Sequence, residues 1–263
     1  MLSETYQQPT ITVTFLGTGT SSGVPMIGCD CAVCTSTNKA DNRLRSSILV
    51  QSATTTFIID TTPDFRYQML RINNKKLDAV LYTHAHKDHV AGLDDVRAYN
   101  YFQEKDMPLY ATEFTLKQIQ SEFYYAFSEK KYPGVPQLTL HIIKNESFFI
   151  GDIKIIPILV WHHQMMVFGY RIGNFTYITD ANRIEESELE KIRGTEVLVL
   201  NALRKEKHIS HFTFQEAIDI ANVIKPSKTY FTHISHQLGL HDAINNELPP
   251  NIRLAYDGLV CTI

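Results

Sequence analysis

Apolar residues in this chain come in short runs that end on polar side chains, and the spacing within each run separates strand from helix. Ile11-Thr12-Val13-Thr14-Phe15-Leu16 alternates with period two, as a half-buried strand does, and runs into the turn-forming Gly17-Thr18-Gly19-Thr20-Ser21-Ser22-Gly23. Residues 46–50 and 56–60 are two further strands separated by a polar turn, which predicts a hairpin. Ala79-Val80-Leu81-Tyr82 is continuously apolar, the pattern of a buried strand. A second block of strands is expected over 138–143, 153–160, 167–172, 175–179 and 197–200, followed by 229–232 and a closing stretch over 251–263. Helices are expected from Pro63, a favoured first helical residue, through Met69 and Leu70. Others are expected over 93–102 and after the capping box Thr213-Phe214-Gln215-Glu216 as far as Ile224. Residues 112–132 carry Phe114, Phe123, Tyr124, Tyr125, Phe127 and Tyr132; a helix with most of these rings facing the core would explain them, some could form a wall or lid for a substrate ring, and the sequence does not choose which. No repeat, low-complexity tract or linker interrupts the pattern, so residues 1–263 read as one domain with two sheets flanked by helices.

Several runs end on metal-ligating residue types. The strand at 79–82 delivers Thr83-His84-Ala85-His86-Lys87-Asp88-His89. Along an extended strand end His84 and His86 point to one side, because side chains alternate. Asp88 and His89 are adjacent and point apart, which suits two neighbouring ions. Imidazole with carboxylate favours zinc, manganese or iron over calcium or magnesium alone. A histidine-rich surface turn is the bland alternative, and the H-x-H-x-D-H spacing at a strand exit argues against it. Further candidates close other runs: His162 or its neighbour His163, Asp180 and His233. Such placement on rigid strand ends suits a precise site. Asp60 also follows an apolar strand, and taken alone it fits a helix cap equally well.

Composition narrows the class. Hydrophobic content of 44% and 20% charged residues are ordinary for a soluble globular protein. A net charge of -3 argues against duplex nucleic acid as a partner, since phosphate contacts need clustered Lys and Arg. No run of 18 apolar residues exists, so no membrane span is expected. Residues 1–8 lack a basic and an apolar region, so no secretory signal is visible and the expected compartment is the cytoplasm. Three of the four cysteines fall in Cys29-Asp30-Cys31-Ala32-Val33-Cys34, a poor disulfide framework but one ligand short of a tetrahedral zinc site. A redox reading of Cys31 and Cys34 lacks the strand–helix context it needs. Cys261 reads as a small core residue. The glycine-rich turn lacks G-x-G-x-x-G spacing, which removes a dinucleotide fold.

Several motifs occur in order: the glycine-rich turn, the cysteine cluster, Arg43-Leu44-Arg45-Ser46-Ser47 and Asp60-x-x-Pro63-Asp64-Phe65-Arg66. Thr83-His84-x-His86-x-Asp88-His89, Gly92-Leu93-Asp94-Asp95, His162 with Gly169-Tyr170-Arg171, and Thr179-Asp180 follow. Thr232-His233-Ile234-Ser235-His236-Gln237 and Tyr256-Asp257-Gly258 complete the set. Together they resemble the metallo-β-lactamase superfamily, and within it the PhnP-type phosphodiesterases, which act on ribosyl cyclic phosphates.

The resemblance implies an α+β fold, the αββα sandwich. It implies His84, His86 and His162 as ligands of one metal, Asp88, His89 and His233 as ligands of another, and Asp180 bridging them. His236 would join Cys29, Cys31 and Cys34 around a structural zinc. Asp60 would orient the histidine motif, and His211, with His208 as the alternative, would assist the leaving group. His141 and His241 have no motif around them and read as structural or solvent-exposed. The expected cofactors are two divalent transition ions, manganese or zinc, plus the structural zinc. The expected reaction is hydrolysis of a cyclic phosphate or nucleotide-like phosphodiester by a hydroxide held between the two ions. A histidinium at position 211 would protonate the leaving oxygen. The substrate would be a small phosphodiester, and a homodimer is compatible with this reading. An RNA-processing endonuclease or another ester or thioester hydrolase is the alternative on the same fold. A metal-binding protein without turnover is the third reading, and the Asp88 and Asp180 set argues against it.

Overall fold

The computed structural model describes residues 6–263. Residues 1–5, part of the leader read as carrying no secretory signal, lie outside the described residues. The first sheet contains β1 (Thr12–Gly17), β2 (Ser47–Gln51), β3 (Thr56–Ile59), β4 (Ala79–Leu81), β5 (Met107–Ala111) and β6 (Leu138–Ile142). The second contains β7 (Phe148–Ile150), β8 (Ile153–His162), β9 (Met165–Ile172), β10 (Phe175–Ile178), β11 (Arg183–Ile184), β12 (Val197–Asn201), β13 (Lys228–Thr232) and β14 (Ile252–Leu254). A last strand, β15 (Val260–Thr262), returns to pair with β1 in the first sheet. The strand orders are β15-β1-β2-β3-β4-β5-β6 and β11-β8-β9-β10-β12-β13-β14, with β7 beside β8. Both sheets follow one plan. Antiparallel strands fill one half, and parallel strands (β3 to β6 in the first sheet; β10, β12, β13 and β14 in the second) fill the other.

Period-two alternation decides which layer each residue joins. Val13, Phe15, Ile48, Val50, Phe57, Ile59 and Leu81 face inward and meet Phe168, Tyr170, Phe175, Tyr177 and Val199 of the other sheet. Their neighbours Leu16, Leu49, Ile58 and Val80 face outward and pack beneath α1 (Phe65–Arg71), α3 (Arg97–Gln103) and α4 (Glu113–Glu122). On the second sheet Val160, Ile178, Leu198 and Leu200 do the same beneath α6 (Glu186–Ile192), α7 (Phe214–Ile224) and α8 (His241–Glu247). Because both faces are covered, the central strands read as unbroken apolar runs. The layers are therefore helix, sheet, sheet and helix. Each fully buried Phe or Ile in the inner layer contributes roughly 1.5–3 kcal/mol of transfer free energy.

The structure departs from the pattern reading in several places. Pro63 lies outside α1, which begins at Phe65 after Asp64. The helix expected over 93–102 is a 3-10 turn (Leu93–Val96) followed by α3. The aromatic segment breaks at Phe123 into α4 and α5 (Tyr124–Phe127). Its six rings divide evenly: Phe114, Tyr124 and Tyr132 are 59%, 71% and 79% exposed, while Phe123 is buried in the core and Tyr125 and Phe127 pack against it. The buried stripe of α4 is Thr115, Leu116 and Ile119, which leaves Phe114 on the outer side of the first turn. The helix α7 has the capping box its sequence spells: Thr213 Oγ1 accepts from the Glu216 N–H and Glu216 returns a carboxylate to the Thr213 N–H. No helix among the described residues is long and apolar enough to cross a membrane.

Candidate metal centre

Parallel strands of both sheets end along one rim, and the site is built there. Asp60 follows β3, Asp180 follows β10 and His233 follows β13. All three have positive φ (67°, 50° and 54°), a left-handed conformation unusual outside glycine. That turn at a strand end throws each side chain back over the rim. Such backbone cost is characteristic of functional positions. His84 sits in the loop after β4, while His86 caps α2 (Lys87–Val90), whose first turns carry Asp88 and His89. The long hairpin of β8 and β9 delivers His162.

Ligand atoms of His84, His86 and His162 lie within 4.8 Å of one another, as do those of Asp88, His89 and His233. Asp180 stands among His84 and His89, and again among His162 and His211. Its Oδ2 is 2.9 Å from His89 Nε2 and its Oδ1 is 3.1 Å from His233 Nε2. Both contacts belong to the Asp88, His89 and His233 set, and the carboxylate also lies within 4.8 Å of His84 and of His162 in the other set. His163 belongs to none of these clusters; it is exposed on the hairpin turn with φ of 57°. His208 is also outside them and lies beside His211, with ring centroids 5.1 Å apart.

The imidazoles are oriented from behind. His89 Nδ1 lies 2.7 Å from Asp60 Oδ2, and His162 Nδ1 lies 2.9 Å from the Ser210 carbonyl. His84 Nδ1 meets Thr83 Oγ1 at 3.0 Å and His233 Nδ1 meets Thr179 Oγ1 at 3.4 Å. Each Nδ1 is occupied, which leaves Nε2 for the centre. Asp60 also accepts from the Thr83 N–H at 2.9 Å and the Thr83 hydroxyl at 2.8 Å, so it fixes the histidine loop and caps no helix. Ligating histidines held this way are the usual design of a metal site.

Two buried nitrogens at the centre, His84 Nε2 and His211 Nδ1, have no hydrogen-bond partner, and His89 Nε2 faces the carboxylates of Asp180 and Asp88. Buried polar atoms are rarely left so, and their convergence with two carboxylates fits divalent cations. The protonation states agree. Burial holds His84 well below the usual imidazole range, and burial also lowers His233. Burial would raise the Asp180 carboxyl, but the charges of His233 and His89 outweigh it and hold it well down. His89 is the exception. Burial disfavours its cation, yet the carboxylates of Asp88, Asp180 and Asp60 hold its pKa well above normal, so an ion bound at His89 would have to displace a proton. Burial pushes His211 down to about 3, so in the free protein it is neutral rather than the histidinium expected from the sequence.

At the edge of the rim Cys29, Cys31, Cys34 and His236 form a second group, with ligand atoms within 4.8 Å of one another. His236 Nδ1 lies 3.4 Å from Cys29 Sγ and 3.3 Å from Cys31 Sγ. The His236 contact lowers Cys31 to about 6, whereas burial raises Cys34 to about 11. Three thiols and one imidazole match a closed structural zinc site. The glycine-rich loop lies between the two groups. Ile234 donates to the Thr18 carbonyl at 2.9 Å, and Thr20 donates to the Ile234 carbonyl at 3.1 Å.

Some contributors escaped the sequence reading. Thr20 Oγ1 is 3.2 Å from His233 Nε2, facing the centre. Arg43, 4% exposed, donates to Thr18 Oγ1, the Ala255 carbonyl and His241 Nδ1, which makes His241 part of a buried network under the loop. His141, in contrast, is exposed and stacks on Tyr110 at 4.5 Å. The pairing of Thr with the ligand in Thr83-His84 and Thr179-Asp180 was the available signal for the supporting hydroxyls. The Arg43 network joins residues about 200 apart and leaves no local pattern.

A rim of histidines and aspartates over two helix-covered mixed sheets defines a metal-dependent hydrolase of the metallo-β-lactamase fold. A family model described as a beta-lactamase superfamily domain matches residues 55–234, and the chain belongs to that superfamily. More particularly, it is similar to a solved structure described as a new diphosphatase from the PhnP family. The two share 43% identity over 98% of each chain with a TM-score of 0.92. It is also 39% identical over 251 residues to an octanoyltransferase of Porphyromonas gingivalis, covering 94% of this chain and 51% of that protein. A ribonuclease Z of Bacillus velezensis is 24% identical over 165 residues, 58% of this chain and 52% of that protein. The chain thus spans about half the length of these two relatives.

Proposed function

We propose that this chain hydrolyses a phosphodiester at a dinuclear centre. The observation that carries this reading is Asp180, which contacts His89 and His233 of one ligand set and lies within 4.8 Å of His84 and of His162 of the other. His84, His86 and His162 would hold one ion, Asp88, His89 and His233 the other, and Asp180 both. Divalent ions there would supply Lewis acidity toward a phosphoryl oxygen and acidify bound water. Asp60, Thr83, Thr179 and the Ser210 carbonyl keep the imidazoles aimed. His211, whose Nδ1 is 3.5 Å from Asp180 Oδ1, would donate an N–H to the oxygen leaving phosphorus. A bound anion would favour the protonated form that burial disfavours. The cavity beside His86 and His162 is lined by no Lys or Arg among the described residues, which favours a monoanionic diester over a dianionic monoester.

A second reading keeps the centre and changes the bond. The PhnP-family neighbour at 43% identity is described as a diphosphatase, so a P–O–P linkage with both phosphoryl groups substituted is the alternative substrate. The test is a screen of manganese- and zinc-loaded protein against a phosphodiester, its monoester, a substituted diphosphate and a thioester. Diester hydrolysis with little monoester turnover is expected. Equal rates on mono- and diester would instead indicate a general phosphatase, and exclusive cleavage of the diphosphate would select the second reading.

A further inference from the structure

Beside the metal-ligating rim lies a cavity of about 570 Å³ walled by three separate segments. The first turn of α4 contributes Phe114, the two-residue turn between β8 and β9 contributes His163 and Gln164 with Met165 behind them, and the loop before α7 contributes Ile209 and Ser210. His86 and His162 form the wall nearest the centre. Phe114 is 59% and Ile209 71% exposed, a large outlay of apolar surface next to a polar site. No aromatic ring packs on Phe114 among the described residues, and no charged Lys, Arg, Asp or Glu lines the cavity. The Gln164 amide and the His163 imidazole make no side-chain hydrogen bond to the described residues, so both are available at the cavity edge.

We infer that this cavity is a subsite for a planar heteroaromatic ring carried by the substrate, a nucleobase or a ring of like chemistry, stacked on Phe114 and flanked by Ile209 and Met165. The inference rests on the phosphodiester reading of the neighbouring centre and adds what the ester carries. Three features select this occupant. The wall is continuous with two of the ligating histidines, so a group bound there is covalently within reach of the reacting phosphorus. The groove is open to solvent and has room for a single ring laid on its apolar side. An apolar face edged by an amide and an imidazole suits a ring with a greasy face and a hydrogen-bonding edge, whereas a plain alkyl chain would leave those two groups unused. The shelf is also mechanically tied to the chemistry. The Ser210 carbonyl holds His162 Nδ1 at 2.9 Å, and Asn182 Nδ2 holds the Ile209 carbonyl at 2.9 Å.

The test compares ligands of equal charge. Dissociation constants of adenosine 5′-phosphate methyl ester, butyl methyl phosphate and dimethyl phosphate would be measured by calorimetry on metal-loaded wild type, Phe114→Ala and Ile209→Ser. The adenosine ester should bind more tightly than the other two. Base stacking on one aromatic side chain is worth roughly 5- to 150-fold, and Phe114→Ala should remove that factor for the adenosine ester only. Adenosine alone, followed by saturation-transfer NMR, gives an arm that needs no phosphate. Its signal should depend on Phe114 even if no diester is bound or cleaved, in which case the phosphodiester reading fails and the subsite stands. Equal gain from the butyl ester would overturn the aromatic assignment. So would identical adenosine binding by wild type and both variants.

Discussion

Removing the knuckle by Cys31→Ser or His236→Ala tests how the two ends of the chain hold the centre. Cys29, Cys31 and Cys34 follow β1, while His236 comes three residues after His233. A zinc held by all four would close a loop of about 200 residues, worth about 5 kcal/mol in the chain-entropy limit for cross-links. Part of that closure survives without zinc, because Ile234 and Thr20 already bond across to the glycine-rich loop. A loss of about 2–3 kcal/mol is therefore expected, a fall in melting temperature of roughly 5–10 °C for a chain of this size. The turn that carries His233 would loosen as well. Support of this kind is worth ~10- to 100-fold in metal affinity, and the remaining backbone bonds put the expected loss near the lower end. Melting by differential scanning fluorimetry and manganese affinity by chelator competition read the two effects. Unchanged melting and unchanged manganese affinity in both variants would refute the staple and leave the cysteines as a reduced surface loop.

Two further outcomes follow from single residues. Asp60→Ala removes the acceptor of three bonds to Thr83 and His89, so affinity for the metal bound by His89 should fall ~10- to 100-fold by competition titration; Asp60→Asn should fall less, and wild-type affinity in both would remove Asp60 from the support of the site. Glu188 gives a pH dependence: burial raises its carboxyl, but Lys191, Asn145 and the Leu159 N–H outweigh that and depress it, so its stabilisation is present above the unfolded range of about 4.3 and lost as pH falls through its folded value. Glu188→Gln should lower the melting temperature by about 2–8 °C at pH 7, from ~1–2 kcal/mol of charged hydrogen bonding, and by little near pH 3; an equal drop at both would place the effect outside this carboxylate.

Much of the architecture is legible in the chain because doubly covered strands must be apolar throughout. The runs at 56–60, 79–82 and 197–200 announce β3, β4 and β12 for that reason. The elements that were missed bury little. The helix α6 buries only Glu188 and Ile192 and α8 only His241 and Ile244, so neither shows a hydrophobic period. The strand β7 is three residues long and lies beside β8 off the main strand path. At the site, the ligand candidates stand out because imidazole and carboxylate at strand ends are chemically conspicuous. Their supports do not, since a Thr hydroxyl or the Ser210 carbonyl is ordinary in sequence and meaningful only in position. Phe114 stayed undecided for a related reason: an aromatic at helical spacing suits core or pocket wall equally, and only the register of α4 turns it toward the cavity.

The central claim is that one carboxylate, Asp180, joins two ion sites. Crystals grown with manganese and measured at the manganese absorption edge test it directly. The account predicts two anomalous peaks flanking Asp180, one beside His84, His86 and His162 and one beside Asp88, His89 and His233. A single peak, or two peaks of which neither contacts Asp180, would contradict it.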